Sequence, residues 1–428
     1  MVEQLLEASL LLKNATILDP VSQLNGTRSD IFIQNGIIQK IASNLSSKAD
    51  RVINCEGLIV CPSFVDLRAH VDEPGNEHKE TIESLCNVAA AGGFTKLAVL
   101  PETDPPTQSK SAVKYLKNQS AEHLVDLLPL GASTEDLNGQ ELTELYDMKL
   151  AGAIGFSNGN KPYSKANVLY KILQYASNFD LPVFSHAEDK DLAQEGMVNE
   201  SATTVHTGLK YRPAIAEYSR VQQEIEVAKY ANCAIHFSHI SSAQSVDIIR
   251  QAKKEGLPVS CDVSILHLVL NDEAVLNFDT RTKVLPPLRS ENDRLELIKG
   301  LKDGTIDAIC SDHRPQNQEN KLVEYDYASF GATTLQSFFA NLWSLRNEGL
   351  SDEVIIAKCS SGPREILGLD KVNIESGMPA EIAIFDPSEI WTLDKSNNKS
   401  LSENSPFWGT ELQGRCKAII SSEKIIEF

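Results

Sequence analysis

The chain is poor in the features that would assign it at a glance. None of its eight cysteines falls in a CxxC pair; they stand at positions 55, 61, 86, 233, 261, 310, 359 and 416, most of them inside apolar runs such as Leu58-Ile59-Val60-Cys61. Structural zinc sites and disulfide frameworks need clustered spacing, so these read as reduced core residues of a cytoplasmic protein. No apolar run reaches the ~18 residues of a membrane helix, and Met1-Val2-Glu3-Gln4-Leu5-Leu6-Glu7 lacks the basic start of a signal peptide. No cluster of five or more Lys or Arg occurs, and 40 Lys+Arg against 59 Asp+Glu leave a net charge of -19. That balance disfavours nucleic acid, whose phosphates demand a basic patch. Internal repeats and low-complexity segments are absent; Asn397-Asn398-Lys399-Ser400 reads as a loop.

What is present is an ordinary globular composition, 42% hydrophobic and 23% charged over 428 residues. Single cores stop growing at about 250–300 residues, so this length predicts one large domain with an accessory one. The two ends share a style. Leu10 to Leu18 is strand-like, Ser22 to Ser29 is a polar turn, and Asp30-Ile31-Phe32-Ile33 followed by Asn35-Gly36 and Ile37 to Ile41 reads as a hairpin. Ala380 to Pro387 and Lys417 to Ile420 are further strands, so both ends are expected to build one sheet module.

The middle alternates. Apolar strand candidates recur at Leu58–Leu67, Lys96–Leu100, Val125–Leu130, Gly152–Phe156, Leu181–Ser185, Ala234–Ser238, Leu257–Cys261 and Ile306–Cys310, with helical periodicity clear at Glu217–Lys229 and Ser245–Lys254. Eight buried parallel strands with helical crossovers predict an α/β fold of the (β/α)8 TIM-barrel type, a doubly wound open sheet being the alternative. The expected division is 1–60 plus 371–428 for the composite β module and 61–370 for the barrel.

Barrel chemistry sits at the C-terminal ends of the strands. Those ends read Asp66-Leu67-Arg68-Ala69-His70-Val71-Asp72, Phe156-Ser157-Asn158-Gly159-Asn160, Ser185-His186-Ala187-Glu188, His236-Phe237-Ser238-His239 and Ser311-Asp312-His313. His70, His186, His239 and Asp312 would converge on the mouth, and histidine with carboxylate is the donor set of an open zinc site. His236, three residues before His239, is read as packing on the other side of its strand.

These segments, with Glu73-Pro74-Gly75, Lys79-Glu80-Thr81, Ala91-Gly92-Gly93-Phe94-Thr95, Pro286-Pro287-Leu288-Arg289 and Ser405-Pro406-Phe407-Trp408-Gly409, resemble the dihydroorotases of the amidohydrolase superfamily along essentially the whole chain. The resemblance implies a barrel with a β-sandwich from both ends, a zinc centre, and ring closure of carbamoyl aspartate to dihydroorotate in pyrimidine biosynthesis. It implies that Asp312 would exchange the proton of a metal-bound water, with His70 and Asp312 on one metal and His186 and His239 on the other.

Against that pattern the chain departs where the chemistry lies. Arg68 stands at the first histidine of the family's His-x-His, and a guanidinium offers no lone pair to a metal. Asn158 stands at the bridging aspartate. Each half-site keeps two ligands where three or four are needed, and one ion drawing on all four would require rearrangement. Asp72 and Glu102 hold the positions of an arginine and an asparagine that read the substrate carboxylate, which inverts the electrostatics; Leu285 and Gln316 replace a further asparagine and histidine. Zinc is therefore expected to bind weakly or not at all, with the Arg68 guanidinium filling the metal space against Asp312. The favoured expectation is a non-catalytic dihydroorotase-like subunit. The alternatives are an active zinc-dependent dihydroorotase or related cyclic amidohydrolase, and a receptor for a cationic or neutral small molecule at the acidic mouth. Family analogy suggests aspartate carbamoyltransferase as partner, and symmetry statistics a homodimer.

Overall fold

The computed structural model describes residues 4–5 and 9–428. Met1, Val2, Glu3, Leu6, Glu7 and Ala8, on which the leader reading partly rests, lie outside the described residues.

Eight short parallel strands form the barrel: β1 (Phe64–Ala69), β2 (Phe94–Val99), β3 (Asp126–Ala132), β4 (Gly155–Ser157), β5 (Val183–Ser185), β6 (Ile235–Phe237), β7 (Val259–Ser264) and β8 (Ala308–Cys310), each hydrogen-bonded to the next. Every residue of β1, β4, β5, β6 and β8 is buried. That two-sided burial is why these strands read as continuous apolar runs rather than alternating ones. The ring closes between first and last strands: Ala69 bridges His313, His70 N–H donates to the His313 carbonyl at 2.9 Å, and Asp66 accepts from Ser311 N–H at 2.8 Å and from its hydroxyl.

A second, nine-stranded mixed sheet is drawn from both chain ends. Its order runs Gln4–Leu5, Lys424–Glu427, Glu411–Ser421, Ile382–Thr392, Ile59–Pro62, Ser9–Ile17, Arg28–Gln34 and Ile37–Ala42, with Arg51–Asn54 beside Ser9–Ile17. The expected hairpin turns at Asn35-Gly36, both at positive φ (+51° and +69°), the conformation two-residue hairpins require and glycine supplies without strain. The apolar run expected as one strand over Leu58–Leu67 is two. Ile59–Pro62 pairs antiparallel with Ile382–Thr392 in the outer sheet, and Phe64 begins the barrel. Both halves are buried on both faces, so hydropathy cannot mark the crossing at Ser63.

The expected helices form over Ile215–Ala231 and Ala243–Lys254, the latter capped by Ser242, whose hydroxyl accepts from Ser245 N–H. All eight cysteines are buried and unbridged. Among the described residues no helix is long and apolar enough to cross a membrane.

Barrel and outer sheet share an aromatic seam, Phe385 stacking on Phe64 at 5.1 Å and on Phe339 at 3.9 Å. Beside it Glu381 meets Lys96 of β2 at 3.3 Å and Arg364. Burial alone would raise the Glu381 pKa, but Lys96 and Arg364 overcome it and hold the carboxyl below its ordinary value. A group with a depressed folded pKa contributes stability above its unfolded pKa and loses it as pH falls through the folded one. Glu381→Gln is therefore expected to lower the thermal midpoint at neutral pH and to flatten the fall in stability below the ordinary glutamate range. Equal acid sensitivity in variant and parent would show that the seam does not depend on this pair.

Candidate active site

The C-terminal ends of β1, β2, β4, β5, β6 and β8 bring the anticipated residues together, in two groups. In the first, Arg68 is 1% exposed and Asp312 7% exposed. Arg68 Nε donates to Asp312 Oδ1 at 2.9 Å, and Nη2 donates to Asn160 Oδ1. Asn160 Nδ2 reaches Glu102 Oε2 at 3.0 Å and lies 3.3 Å from His70 Nε2; His70 Nδ1 is 3.6 Å from Glu102 Oε2. In the second group His186 Nδ1 and His239 Nε2 are 2.8 Å apart, and the other ring nitrogen of His239 stands 4.0 Å from Asp312 Oδ1.

Burial and the neighbouring arginines explain the titration behaviour. Burial, then Arg314 and Arg68, hold the His70 pKa well below its ordinary value; burial, then Arg68 and His186, do the same to His239. Both rings are neutral at pH 7. Burial raises Asp312, while the Arg68 guanidinium pulls against that rise. Asp72 is pushed up to about 7, chiefly by burial and further by Glu80 and Glu102. Its Oδ2 has no hydrogen-bond partner, nor do Arg68 Nη1, His186 Nε2 and His239 Nδ1, so buried polar atoms without hydrogen bonds collect at this mouth.

His239 and Asp312 also hold the backbone in the left-handed region, at φ +41° and +48°. Non-glycine residues avoid it unless the surroundings enforce it, and such strain gathers at functional sites. Here Asp262 Oδ1 accepts from the His239 N–H at 2.7 Å, and Asp66 fixes Ser311 beside Asp312.

A zinc centre can be tested against these donors. Two imidazole nitrogens bound to one tetrahedral zinc at about 2.0–2.1 Å sit roughly 3.3 Å apart. The nitrogens of His186 and His239 point at each other across 2.8 Å instead. The carboxylate that would share a metal with His70 is engaged by a guanidinium. Asn158 faces away into its own loop and the loop that follows β3, accepting from Thr134 Oγ1 at 2.6 Å and donating to the carbonyls of Lys161 at 3.0 Å and Leu137 at 3.3 Å. Among the described residues no group of three or more His, Cys, Asp or Glu is arranged to hold a metal. The side chains as placed do not fit a dinuclear zinc centre.

The motif residues that persist serve the scaffold. Glu73 accepts from Ile82 N–H at 2.9 Å and from the Tyr115 hydroxyl at 3.0 Å, capping the helix Ile82–Ala91. Glu80 accepts from Leu401 N–H at 3.2 Å and from the Ser400 hydroxyl. Arg289 donates to Arg212 O at 2.7 Å, Ser241 Oγ at 3.0 Å and Asn199 Oδ1 at 3.1 Å. Gln316 donates to the Phe330 carbonyl at 3.1 Å, and Leu285 is half-buried with no polar group to offer.

Asn160 is the residue the sequence argument missed, since attention fell on Asn158. The signal was the glycine between them. Gly159 has φ +63°, and a Cβ there would lie 2.5 Å from the Glu102 side chain. Only glycine lets the chain turn so close to Glu102 and return Asn160 to the centre.

Comparison with known proteins supports the fold and the family resemblance. A family model described as dihydro-orotase-like matches residues 57–245. A dihydroorotase of Caldanaerobacter subterraneus is 38% identical over 408 residues, covering 95% of this chain and 94% of that one. A dihydroorotase of Syntrophus aciditrophicus is 36% identical, covering 97% and 99%. Among solved structures, an L-hydantoinase (dihydropyrimidinase) from Arthrobacter aurescens superposes with a TM-score of 0.87 at 25% identity, covering 98% of this chain and 96% of that one.

Proposed function

Because the chain belongs to the dihydroorotase family, we propose that it is a member whose reaction centre has been replaced by a buried ion pair, so that it serves as a non-catalytic dihydroorotase-like subunit of pyrimidine biosynthesis. The observation that carries this reading is the 2.9 Å contact of Arg68 Nε with Asp312 Oδ1. In the family's reaction that carboxylate must be free to take a proton from the attacking water and give it to the leaving amide nitrogen. A carboxylate fixed against a permanent cation is a poor base. Glu102, together with Asp72 to the extent that it ionises near pH 7, adds negative charge where an anionic substrate would be held, and like charges there repel.

The test is metal analysis joined to an assay of dihydroorotate hydrolysis on the purified protein, with zinc added. The expected result is no turnover above background and no stoichiometric zinc. One or two zinc ions per chain with turnover would overturn the proposal and favour an active zinc-dependent cyclic amidohydrolase. The same reading places the protein in the cytoplasm and assigns it a scaffold's partners, an aspartate carbamoyltransferase or a second copy of itself. A further possibility, capture of a cationic or neutral small molecule without turnover, is favoured by the buried, unpartnered Asp72 Oδ2. Calorimetry with small amines on parent and Asp72→Asn protein separates it from a purely structural role.

A further inference from the structure

The other end of the barrel carries a separate group of residues. His236, expected as packing, lies in the barrel interior between two partners on β7: Ser260 Oγ at 2.8 Å from Nδ1 and Asp262 Oδ2 at 2.7 Å from Nε2. The three are ordered from outside inward. Ser260 is half-buried, whereas His236 and Asp262 are buried at 1% and 0% exposure. Ser260 lines a cavity of about 520 Å3 whose wall includes Pro182, Ala234, Pro258 and Asp307, the residues that immediately precede β5, β6, β7 and β8. The cavity therefore lies at the N-terminal face, opposite the mouth that holds His186, His239 and Asp312.

We propose that Ser260, His236 and Asp262 form a nucleophilic serine site that opens into this cavity and accepts acyl groups from small uncharged carboxylic esters. The geometry has the three parts such a site needs: a hydroxyl facing open space, a base hydrogen-bonded to it, and a carboxylate that orients the base. With Nε2–H donating to Asp262, His236 presents the Nδ1 lone pair to the Ser260 hydroxyl. The arrangement uses the two ring nitrogens in reverse of the commonest triad, but roles and geometry, not atom names, define one. Ser260 Oγ attacks the ester carbonyl carbon as its proton passes to Nδ1. The bond from that carbon to the leaving oxygen breaks, and the departing alkoxide takes the proton from Nδ1. Water then repeats the sequence in place of the alcohol and releases the acid, so no oxidant or metal is needed. Lys358 lines the same cavity, and its Nζ spends one N–H on the Ile306 carbonyl at 2.5 Å. Its other N–H groups would donate to the negative charge that develops on the carbonyl oxygen. The wall is mixed, with Ala234, Pro258 and Ile366 beside Asp307, Lys358 and Glu365, and the two carboxylates disfavour an anionic acyl group.

The experiment uses the full chain, a fluorophosphonate probe, which forms an Oγ–P bond as fluoride leaves, and 4-nitrophenyl acetate, with the modified peptide mapped by mass spectrometry. Stoichiometric modification at Ser260 is expected, abolished in Ser260→Ala and slowed about 100-fold or more in His236→Gln. Asp262 acts through His236 and is a positioning residue, so Asp262→Glu should recover part of the labelling rate that Asp262→Asn loses. Modification at another residue, or an unchanged rate in Ser260→Ala or His236→Gln, would overturn the proposal. Should the buried variants fail to fold, Ser260→Ala removes only a half-buried hydroxyl and decides the question alone.

Discussion

Replacing Arg68 by alanine is expected to destabilise the fold by about 3–5 kcal/mol at neutral pH, the usual loss when one partner is removed from a buried ion pair. Arg68 is among the largest fully buried side chains, and its guanidinium is held by Asp312 and Asn160 at once. Removing it leaves the Asp312 carboxylate without its cation, Asn160 Oδ1 without a donor, and a void at the centre of the mouth. The pH dependence has a definite sign. Burial already raises the Asp312 pKa against the pull of Arg68, so without the arginine it rises further. A carboxyl whose folded pKa is raised is easier to hold in the fold as its acid than as its anion. The loss in Arg68→Ala should therefore be largest at neutral and alkaline pH and shrink as pH falls through that raised value. Denaturant midpoints of parent and variant across pH 5 to 8 read this directly. A loss below about 1 kcal/mol, or one independent of pH, would mean that the pair is a surface-like contact and does not hold the centre together.

The same pair shows how far the sequence could be read. Eight apolar runs with helices between them were enough to expect the barrel, because two-sided burial leaves its mark on composition. The group around Asp312 was legible too, since barrel strands deliver the residues that follow them to one face. What could not be read was direction beyond the strand ends. Asn158 and Asn160 are the same residue type two positions apart, and only the turn at Gly159 decides which of them reaches Arg68. Strand alternation puts His236 in packing, and it is buried, but alternation does not show that its two ring nitrogens meet Ser260 and Asp262 on the neighbouring strand. Such cross-strand partners depend on register, and register between parallel strands separated by a helix leaves no local signature. The division of the run at Ser63 escaped for a related reason: both halves are equally apolar, and hydropathy does not record which sheet a strand joins.

Restoring the missing donors should restore the metal without restoring the reaction. In Arg68→His, an imidazole replaces the guanidinium and would stand with His70 and Asp312, giving one half-site three donors in place of two. Removing the cation also frees the Asp312 oxygen that now accepts from Nε. Adding Asn158→Asp supplies the bridging carboxylate, and the present contacts favour its reorientation. The amide of Asn158 donates to the carbonyls of Leu137 and Lys161, and a carboxylate, having no hydrogen to donate, would be repelled by both. It has reason to leave the loop for a cation at the centre, at some loss in the stability of that loop. Zinc affinity is expected to rise about 100-fold or more over the parent, with one ion per chain in the single variant and a second in the double. Because binding to the folded state alone stabilises it, the thermal midpoint of the double variant should climb with added zinc while that of the parent does not. Dihydroorotate hydrolysis should stay absent in both, since Asp72 and Glu102 still face the place where the anionic ring would be held. Only when those two positions also carry a cation and a neutral amide, as Asp72→Arg with Glu102→Asn, is turnover expected to appear. If the double variant binds no more zinc than the parent, the loss of the metal site lies in the path of the backbone, and the substitutions at 68 and 158 did not cause it.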